Sequence, residues 1–357
     1  MRGIGTFLSR HVPFHMRLAA LLVLALSGAL GALAGCGGAG VPVGSRLDEF
    51  VTREGDIPPF DSAAVNFLVV GDWGRSGFFN QSDVARAMGR TGNEIQSRFT
   101  ISTGDNFYVS GVESTDDPKW LRSFENIYTA PSLQSRWYST LGNHDWQGSV
   151  QAQIDYTRLS DRWYQPARYY AETLTVDDST DALFVFLDTS PLTYADAQRG
   201  KYDETIAWTP DRQLAWLDST LGASSAEWKV VIGHHPIYVG SVSYIDNPIL
   251  IELLPPIFER HGVQAYFAGH DHNLQHHRPK DSTVDYFISG AGSLTREVVQ
   301  IPSTLFALRT PGFMAVSLTA TRMDIRAIDE ENTLVYASAV PLRRGRRLPL
   351  PFGLGDR

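Results

Sequence analysis

Five short segments of the chain concentrate carboxylate, imidazole, amide and phenol groups, the side chains that bind metal ions and activate water. Each segment directly follows a short apolar run. The segments are Gly71-Asp72-Trp73-Gly74, Gly104-Asp105-Asn106-Phe107-Tyr108, Leu141-Gly142-Asn143-His144-Asp145, Ile232-Gly233-His234-His235-Pro236 and Gly269-His270-Asp271-His272-Asn273. One Gly-Asp pair is weak evidence, because aspartate is also a common turn and capping residue. Five such segments together favour a metal site.

The spacing of these groups indicates the metals and the reaction. His270 and His272 lie two residues apart, so in an extended segment their rings point to the same side. Oxygen ligands with a few imidazoles suit iron, manganese or zinc, and a shared carboxylate such as Asp105 could hold two ions together. Two ions about 3.5–4 Å apart bind the attacking and the leaving oxygen of an in-line displacement. The segments therefore predict a metal-dependent phosphoric-ester hydrolase.

Short strands alternating with helices must position these segments. Six apolar runs predict buried strands: Val65 to Val70, Thr100 to Thr103, Ala182 to Leu187, Trp228 to Ile232, Val263 to Ala268 and Val284 to Ser289. Helical spacing of apolar residues covers Ser82 to Arg98, Lys119 to Tyr128, Pro210 to Leu221 and Pro248 to Gly262. Gly312 to Ile328 and Thr333 to Val340 alternate as a closing β-pair. The pattern predicts an α/β sandwich built on mixed sheets, with ligands at the carboxyl ends of strands.

Composition restricts the class of protein. The chain has 357 residues, of which 43% are hydrophobic and 20% charged, as in ordinary globular proteins. Its net charge of −8 argues against nucleic acid as a partner, because phosphate-backbone binding requires a concentrated excess of Lys and Arg. The single cysteine, Cys36, excludes an intrachain disulfide and a thiolate zinc site.

The N-terminal segment is typical of an exported protein. Basic residues precede the apolar run from Leu18 to Leu26, and Leu33-Ala34-Gly35-Cys36 resembles the bacterial lipobox, which predicts that mature Cys36 carries lipid. A plain signal peptide cut nearby and an uncleaved anchor helix are the alternatives. We expect a lipoprotein-type signal peptide at 1–35, a flexible tether at 36–60, a catalytic domain at 61–341 and a basic, disordered tail at 342–357. The protein would then be a monomer in the cell envelope, lipid-anchored or periplasmic or secreted.

The five segments resemble those of the metallophosphoesterases, and in particular the small, tartrate-resistant type of purple acid phosphatase. The similarity spans about residues 66 to 292. It implies a four-layer α/β/β/α sandwich with two mixed β-sheets and an acid phosphatase acting on small phosphate monoesters. The family's ligand roles, carried onto matching positions, give a ferric ion to Asp72, Tyr108 and His272, a bridging role to Asp105, and a divalent iron, zinc or manganese ion to Asn143, His234 and His270.

One position distinguishes this subfamily. Many metallophosphoesterases place a histidine two residues after the first aspartate, whereas here Gly74 occupies that position and Tyr108 follows Asp105 by three. A tyrosinate ligand favours ferric iron and gives a visible charge-transfer band. The alternative for Tyr108 is a packed aromatic ring whose hydroxyl reaches a backbone group.

The resemblance also implies a mechanism. A metal-bound hydroxide attacks phosphorus in line, and His144 hydrogen-bonds the phosphate and protonates the leaving group. The alternative for His144 is orientation of Asn143. Asp145 would orient His144 or a loop, the role of His235 stays open, and His276 and His277 are expected at the surface.

The motif residues do not determine the substrate, because specificity lies in loops such as Phe78 to Gln81 and Thr193 to Thr209. A phosphodiesterase or nucleotide hydrolase of the same superfamily is therefore an alternative. A non-catalytic, lipid-anchored metal- or phosphate-binding protein is a more remote one.

Overall fold

Two seven-stranded β-sheets pack face to face, and helices cover the outer face of each. The computed structural model describes residues 60–193 and 210–343. In chain order the strands are β1 (Val65–Val70), β2 (Phe99–Ser102), β3 (Trp137–Ser139), β4 (Trp163–Tyr164), β5 (Tyr170–Asp177), β6 (Thr180–Phe186), β7 (Trp228–Ile232), β8 (Ala265–Ala268), β9 (Leu274–His277), β10 (Asp285–Ser289), β11 (Thr304–Leu308), β12 (Gly312–Leu318), β13 (Arg322–Asp329) and β14 (Leu334–Pro341). The α-helices are α1 (Gln81–Glu94), α2 (Val150–Tyr156), α3 (Ser190–Thr193), α4 (Pro210–Ala223), α5 (Pro248–Leu253) and α6 (Pro255–His261). A π-helical turn (Trp120–Glu125) and 3₁₀ turns (Pro131–Leu133 and Asp145–Gln147) complete the elements.

Each sheet combines a parallel block with antiparallel strands. The first has the order β14-β13-β12-β1-β2-β3-β4, in which β1 to β4 are parallel and β12 to β14 are antiparallel. The second has the order β11-β9-β10-β8-β7-β6-β5, in which β6, β7, β8 and β10 are parallel. The parallel blocks place the carboxyl ends of several strands along one edge of each sheet, and this edge carries the candidate site.

The core between the sheets explains the apolar runs. The Phe67 ring stacks on Phe99 at 4.8 Å and meets Phe184 of the other sheet edge-on at 5.6 Å. The alternate residues Leu68 and Val70 pack under the helices that cover the first sheet. All six residues of β1 are buried. A strand covered on both faces reads as a continuous apolar run, and β1 is such a strand.

The predicted four-layer sandwich with two mixed sheets is confirmed. The six predicted strands are present: Val65–Val70 and Trp228–Ile232 have the predicted bounds, and the other four are shifted at one or both ends. The predicted helix from Pro248 to Gly262 is broken at Leu254, because Pro255 and Pro256 cannot continue the hydrogen-bond ladder of α5. The stretch from Gly312 to Ile328 forms two strands, β12 and β13, which are joined by a turn and pair with each other. The second of them, β13, also pairs with β14.

The expectation that His276 and His277 lie at the surface is wrong. Both are fully buried in β9, which lies between β10 and β11. Cys36, the signal peptide, the tether and the tail from residue 344 onward lie outside the described residues. No helix in the part of the chain that the structure describes is long and apolar enough to cross a membrane.

Candidate metal centre

All five segments meet at the carboxyl ends of strands from both sheets. Strands β1, β2 and β3 of the first sheet lead to Asp72, to Asp105 with Tyr108, and to Asn143. Strands β7 and β8 of the second sheet lead to His234 and to His270 with His272. The predicted ligands are therefore neighbours in space although they come from five separate parts of the chain.

One group of donor atoms surrounds the Tyr108 hydroxyl. Its oxygen lies 3.0 Å from Asp72 Oδ1, 2.9 Å from Asp105 Oδ2 and 3.2 Å from His272 Nε2. The His272 Nε2 atom lies 3.4 Å from Asp72 Oδ1. The hydroxyl has a single proton, so it cannot satisfy three acceptors, and the four groups form a compact set of electron-pair donors.

A second group surrounds His234 Nε2. This nitrogen lies 3.3 Å from Asn143 Oδ1, 3.4 Å from Asp105 Oδ1 and 3.3 Å from His270 Nδ1. Asp105 directs Oδ2 to the first group and Oδ1 to the second. A carboxylate that bridges two metal ions requires this arrangement of its oxygens.

The chemistry of the donor set fits cations. The His234 ring donates its Nδ1–H to the Thr103 carbonyl at 2.9 Å, so Nε2 presents a lone pair to atoms that are themselves acceptors. Asp72 and Asp105 are 0% and 2% exposed, and neither forms an ion pair with a Lys or Arg among the described residues. Buried carboxylates without a countercharge are costly. Two metal ions would supply that charge.

The backbone holds three of these residues in an uncommon conformation. Asp72, Asp105 and His270 have φ angles of 61°, 49° and 68°, in the left-handed region. Asp72 Oδ2 accepts a hydrogen bond from the His270 backbone N–H at 2.8 Å, and Asp105 Oδ1 accepts from the His144 N–H at 2.8 Å. Such conformations cost about 1–3 kcal/mol each and persist where surrounding contacts enforce them. The cross-links between segments do so here.

Gly142 permits the close approach of two segments. A Cβ atom at this position would lie 2.1 Å from Asp105 Oδ1 and 2.3 Å from the Asp105 nitrogen. Any side chain would displace Asp105, so the glycine is required by packing at the centre of the site.

Asp145 organises the loop that carries Asp105 and Tyr108. Its buried carboxylate accepts hydrogen bonds from the Gly142 N–H at 2.8 Å, the Asn106 N–H at 3.0 Å and the Gln153 side-chain amide at 2.9 Å. Burial and then the Asp105 charge raise the pKa of Asp145. The sequence left two roles for Asp145, and these contacts favour the orientation of the loop over that of the His144 ring.

His144 occupies the rim of the site. Its Nδ1–H donates to the Val109 carbonyl oxygen, and its Nε2 lies 3.9 Å from Asp105 Oδ2. The ring packs 4.6 Å from that of Tyr108, and the side chain is 26% exposed. Because Nδ1 is held by a backbone carbonyl, Nε2 is the atom that faces both the candidate metal ligands and solvent.

Comparison with known proteins agrees with this geometry. Residues 65–274 match the calcineurin-like phosphoesterase family. Purple acid phosphatase 4 of Arabidopsis thaliana is 39% identical over 282 residues, which cover 75% of this chain and 80% of that protein. Tartrate-resistant acid phosphatase type 5 of Homo sapiens is 30% identical over 306 residues, covering 78% and 92%. The chain belongs to the purple acid phosphatases.

Solved structures share the fold of this purple acid phosphatase. GAP50, the anchor in the inner membrane complex of Plasmodium, superposes with a TM-score of 0.68 at 22% identity, covering 79% of this chain and 90% of that one. The purple acid phosphatase PPD1 from yellow lupin seeds gives a TM-score of 0.59 at 13% identity, covering 80% and 55%. At these identities the likeness concerns the fold alone.

The electrostatics of the donor set follow from burial and close charges. Burial, followed by the charges of Asp105 and Asp72, raises the pKa of Tyr108 well above its ordinary value. Burial lowers the pKa of His234, but Asp105 and Asp72 outweigh it and leave the pKa raised. Burial, followed by repulsion from His234, lowers the pKa of His270 well below its ordinary value. Cations bound here would oppose the rise in the pKa of Tyr108, because they favour the phenolate.

Sequence reasoning missed two arginines beside the candidate ligands. The Arg75 guanidinium carbon lies 3.6 Å from the Tyr108 ring centroid, and its Nε donates to Ser293 Oγ at 3.2 Å. Arg296 donates from its backbone to the His272 carbonyl at 2.8 Å and from its side chain to the Tyr244 hydroxyl. No motif marks these positions. Only the loop from Phe78 to Gln81, named for specificity, pointed to the neighbourhood of Arg75.

The residue whose role was open, His235, packs behind the ligands. Its Nδ1 lies 2.9 Å from the Thr189 hydroxyl, and its ring centroid lies 4.5 Å from that of His270. The buried ring supports His270 by packing.

Proposed function

We propose that the protein is a phosphoric monoester hydrolase, an acid phosphatase that acts on small phosphorylated substrates at a dinuclear metal centre. The observation that carries the proposal is Asp105, whose two carboxylate oxygens face two separate sets of donors. The relatives reported above are named acid phosphatases, which favours a monoester substrate over the diester alternative and over a non-catalytic protein.

Two sets of residues would hold the metals. Asp72, Tyr108, His272 and Asp105 suit a ferric ion, because carboxylate and phenolate oxygens are hard ligands. Asp105, Asn143, His234 and His270 suit a divalent iron, zinc or manganese ion. When bound, the pair supplies a nucleophilic oxygen at acidic pH and stabilises the charge of an in-line displacement.

The chain itself supplies positioning and proton transfer. The Val109 carbonyl fixes the His144 ring so that Nε2 points to the site, where a protonated Nε2 donates to the oxygen of the leaving group. His234 is fixed in its ligand tautomer by Thr103. The Asn106 and Gly142 contacts of Asp145 keep Asp105 and Tyr108 at their distances.

Metal analysis combined with a visible spectrum tests this function. We expect two metal ions per chain, a purple colour from Tyr108 on ferric iron, and hydrolysis of a monoester well above that of a diester. The Tyr108→Phe variant should lose the colour while keeping the fold. A colourless protein that holds iron contradicts the role of Tyr108, and preferred cleavage of the diester contradicts the substrate class.

We also propose that residues 1–35 are a lipoprotein signal peptide and that residues 36–60 are a tether. The catalytic domain then covers residues 61–341, and residues 342–357 form its tail. The mature protein would be a lipid-anchored monomer of the cell envelope. Leu33-Ala34-Gly35-Cys36 supports the anchor. Expression with labelled fatty acid tests it: label should enter the protein and should be absent from Cys36→Ser. Labelling of the variant refutes the anchor, and a dimer in solution refutes the monomer.

A further inference from the structure

The loop between β1 and α1 is strained and firmly held. Ser76, Phe79 and Asn80 have φ angles of 55°, 54° and 69°, and Gly77 has 84°. A left-handed conformation is rare for a bulky side chain such as Phe79. Gln81 Oε1 accepts hydrogen bonds from the N–H groups of Arg75 and Gly77, at 3.0 and 2.7 Å. These contacts maintain the strained conformation, which is a feature of functional sites.

The strained loop presents two aromatic rings to solvent. Phe78 is 69% exposed and Phe79 is 58% exposed. Val109, beside the ligand Tyr108, is 71% exposed, and Leu294, beside Ser293, is 38% exposed. These four are among the ten large apolar side chains exposed in the described part of the chain. Phe79 lies near Arg75 and is next to Phe78 in the chain, Val109 follows Tyr108, and Leu294 follows Ser293, which contacts Arg75 and Asp72. Clustered exposed apolar groups mark binding surfaces.

Arg75 lies between the Phe79 ring and the candidate ligand Tyr108. Its guanidinium carbon lies 5.8 Å from the Phe79 ring centroid and 3.6 Å from that of Tyr108. Its Nε donates to Ser293 Oγ, which in turn donates to the Asp72 carbonyl oxygen. Among the described residues no carboxylate forms an ion pair with Arg75. A cation without an ion-pair partner among the described residues therefore lies within about 6 Å of both the Phe79 ring and the Tyr108 ring.

We propose that Phe78 and Phe79 form a leaving-group subsite for phosphate monoesters of apolar alcohols. This inference rests on the proposed function. The phosphoryl group binds at the metal centre beside Arg75, and the alkyl or aryl group lies against the two rings and against Val109 and Leu294. The rings select the substrate by removing its apolar surface from water.

Ethyl phosphate and hexyl phosphate test the subsite on the metal-loaded full-length protein. Both esters release primary alcohols of nearly equal leaving-group reactivity, so the ratio of their kcat/KM values reports contact with the four additional methylenes. A fully buried methylene contributes about fourfold. If the rings cover about half of the surface of the alkyl chain, each methylene raises kcat/KM by about twofold. For four methylenes we therefore expect hexyl phosphate to be favoured by roughly 16-fold.

The double variant Phe78→Ser with Phe79→Asn removes both rings. Asparagine tolerates the left-handed conformation of position 79, so the loop should keep its shape. We expect the ratio to fall to about 2-fold, because the variant loses more kcat/KM for hexyl phosphate than for ethyl phosphate. Leu159→Ser is the matched control, because Leu159 is 65% exposed in the loop after α2. This control should keep the full ratio.

The outcomes separate the subsite from the function. Absence of ethyl phosphate hydrolysis refutes the proposed function itself. If both esters are hydrolysed with nearly equal kcat/KM values, only the subsite is refuted. The same conclusion follows if the double variant keeps the preference of the wild type for hexyl phosphate. A second arm presents a dialkylglycerol phosphate in phosphatidylcholine vesicles. If the double variant loses activity only in that arm, the rings serve membrane contact and the leaving-group subsite is wrong.

Discussion

Replacement of Asp145 by asparagine should destabilise the protein and loosen the metal centre. Oδ2 accepts from the Gly142 N–H, and Oδ1 accepts from the Phe107 N–H at 3.2 Å and from the Gln153 amide at 2.9 Å. Whichever oxygen becomes an NH₂ group, at least one buried backbone N–H loses its acceptor and faces another donor.

The contacts set the size of the effect. An unsatisfied buried donor costs about 1–3 kcal/mol, and the remaining hydrogen bonds lose the assistance of the charge. We therefore expect Asp145→Asn to lower the free energy of unfolding by about 2–4 kcal/mol. For a domain of this size, such a loss lowers Tm by roughly 4–16 °C. Metal affinity should also fall, since the Asn106 segment carries Asp105 and Tyr108.

Thermal and denaturant unfolding, with metal titration, measure these changes in the metal-loaded and the chelated protein. Asp155→Asn is the matched control, because Asp155 is a 41% exposed carboxylate in α2 that accepts from Gln151. It should change stability by less than about 0.5 kcal/mol. The proposed role of the carboxylate is refuted if Asp145→Asn has the same Tm as the wild type in the metal-loaded and the chelated protein and binds metal with the same affinity.

Three further predictions concern the rim, the centre and the acid limit of the fold. His144→Ala should lower kcat by about 10²–10⁴-fold at unchanged metal content; loss of metal instead would assign His144 to structure. Gly142→Ala should reduce metal binding, because its Cβ meets Asp105 at 2.1 Å, whereas Gly222→Ala in α4 should not. Burial, followed by repulsion from the neighbouring His276 imidazole, lowers the pKa of His277 to about 3 in the folded protein. As the pH falls below about 6.5, the His277 ring therefore becomes protonated in the unfolded state but stays neutral in the folded state. The free energy of unfolding should therefore fall by about 2 kcal/mol from pH 7 to pH 5. Denaturant titrations of His277→Gln should lack this pH dependence of about 2 kcal/mol. A variant with the same pH dependence as the wild type would contradict the assignment to His277.

Local pattern was sufficient for the elements that are buried on both faces. The runs at β1 and β7 predict strands directly, because burial on both faces leaves mostly apolar positions, with one polar residue in each run. The same reasoning missed β5, which alternates intermediate and exposed residues, and β4, which has two residues. It also misplaced His276, a polar residue buried because it contacts Asp285 at 2.8 Å and the Tyr336 hydroxyl at 2.8 Å. Tyr336 is 60 residues from His276, and Asp285 comes close only through the pairing of β9 with β10, so neither partner leaves a local signal.

The sequence by itself determined the ligand types and the edge at which they would gather. Side-chain chemistry is a property of each residue, and strand ends follow from apolar runs, so Asp72 and His234 could be predicted as ligands from short segments. Only the tertiary structure decided which atoms face each other. The two oxygens of Asp105 face two donor sets because β2 lies between β1 and β3, and because the second sheet brings His270 across. The position of Arg75 over Tyr108 likewise depends on contacts between loops far apart in the chain, which no periodicity encodes.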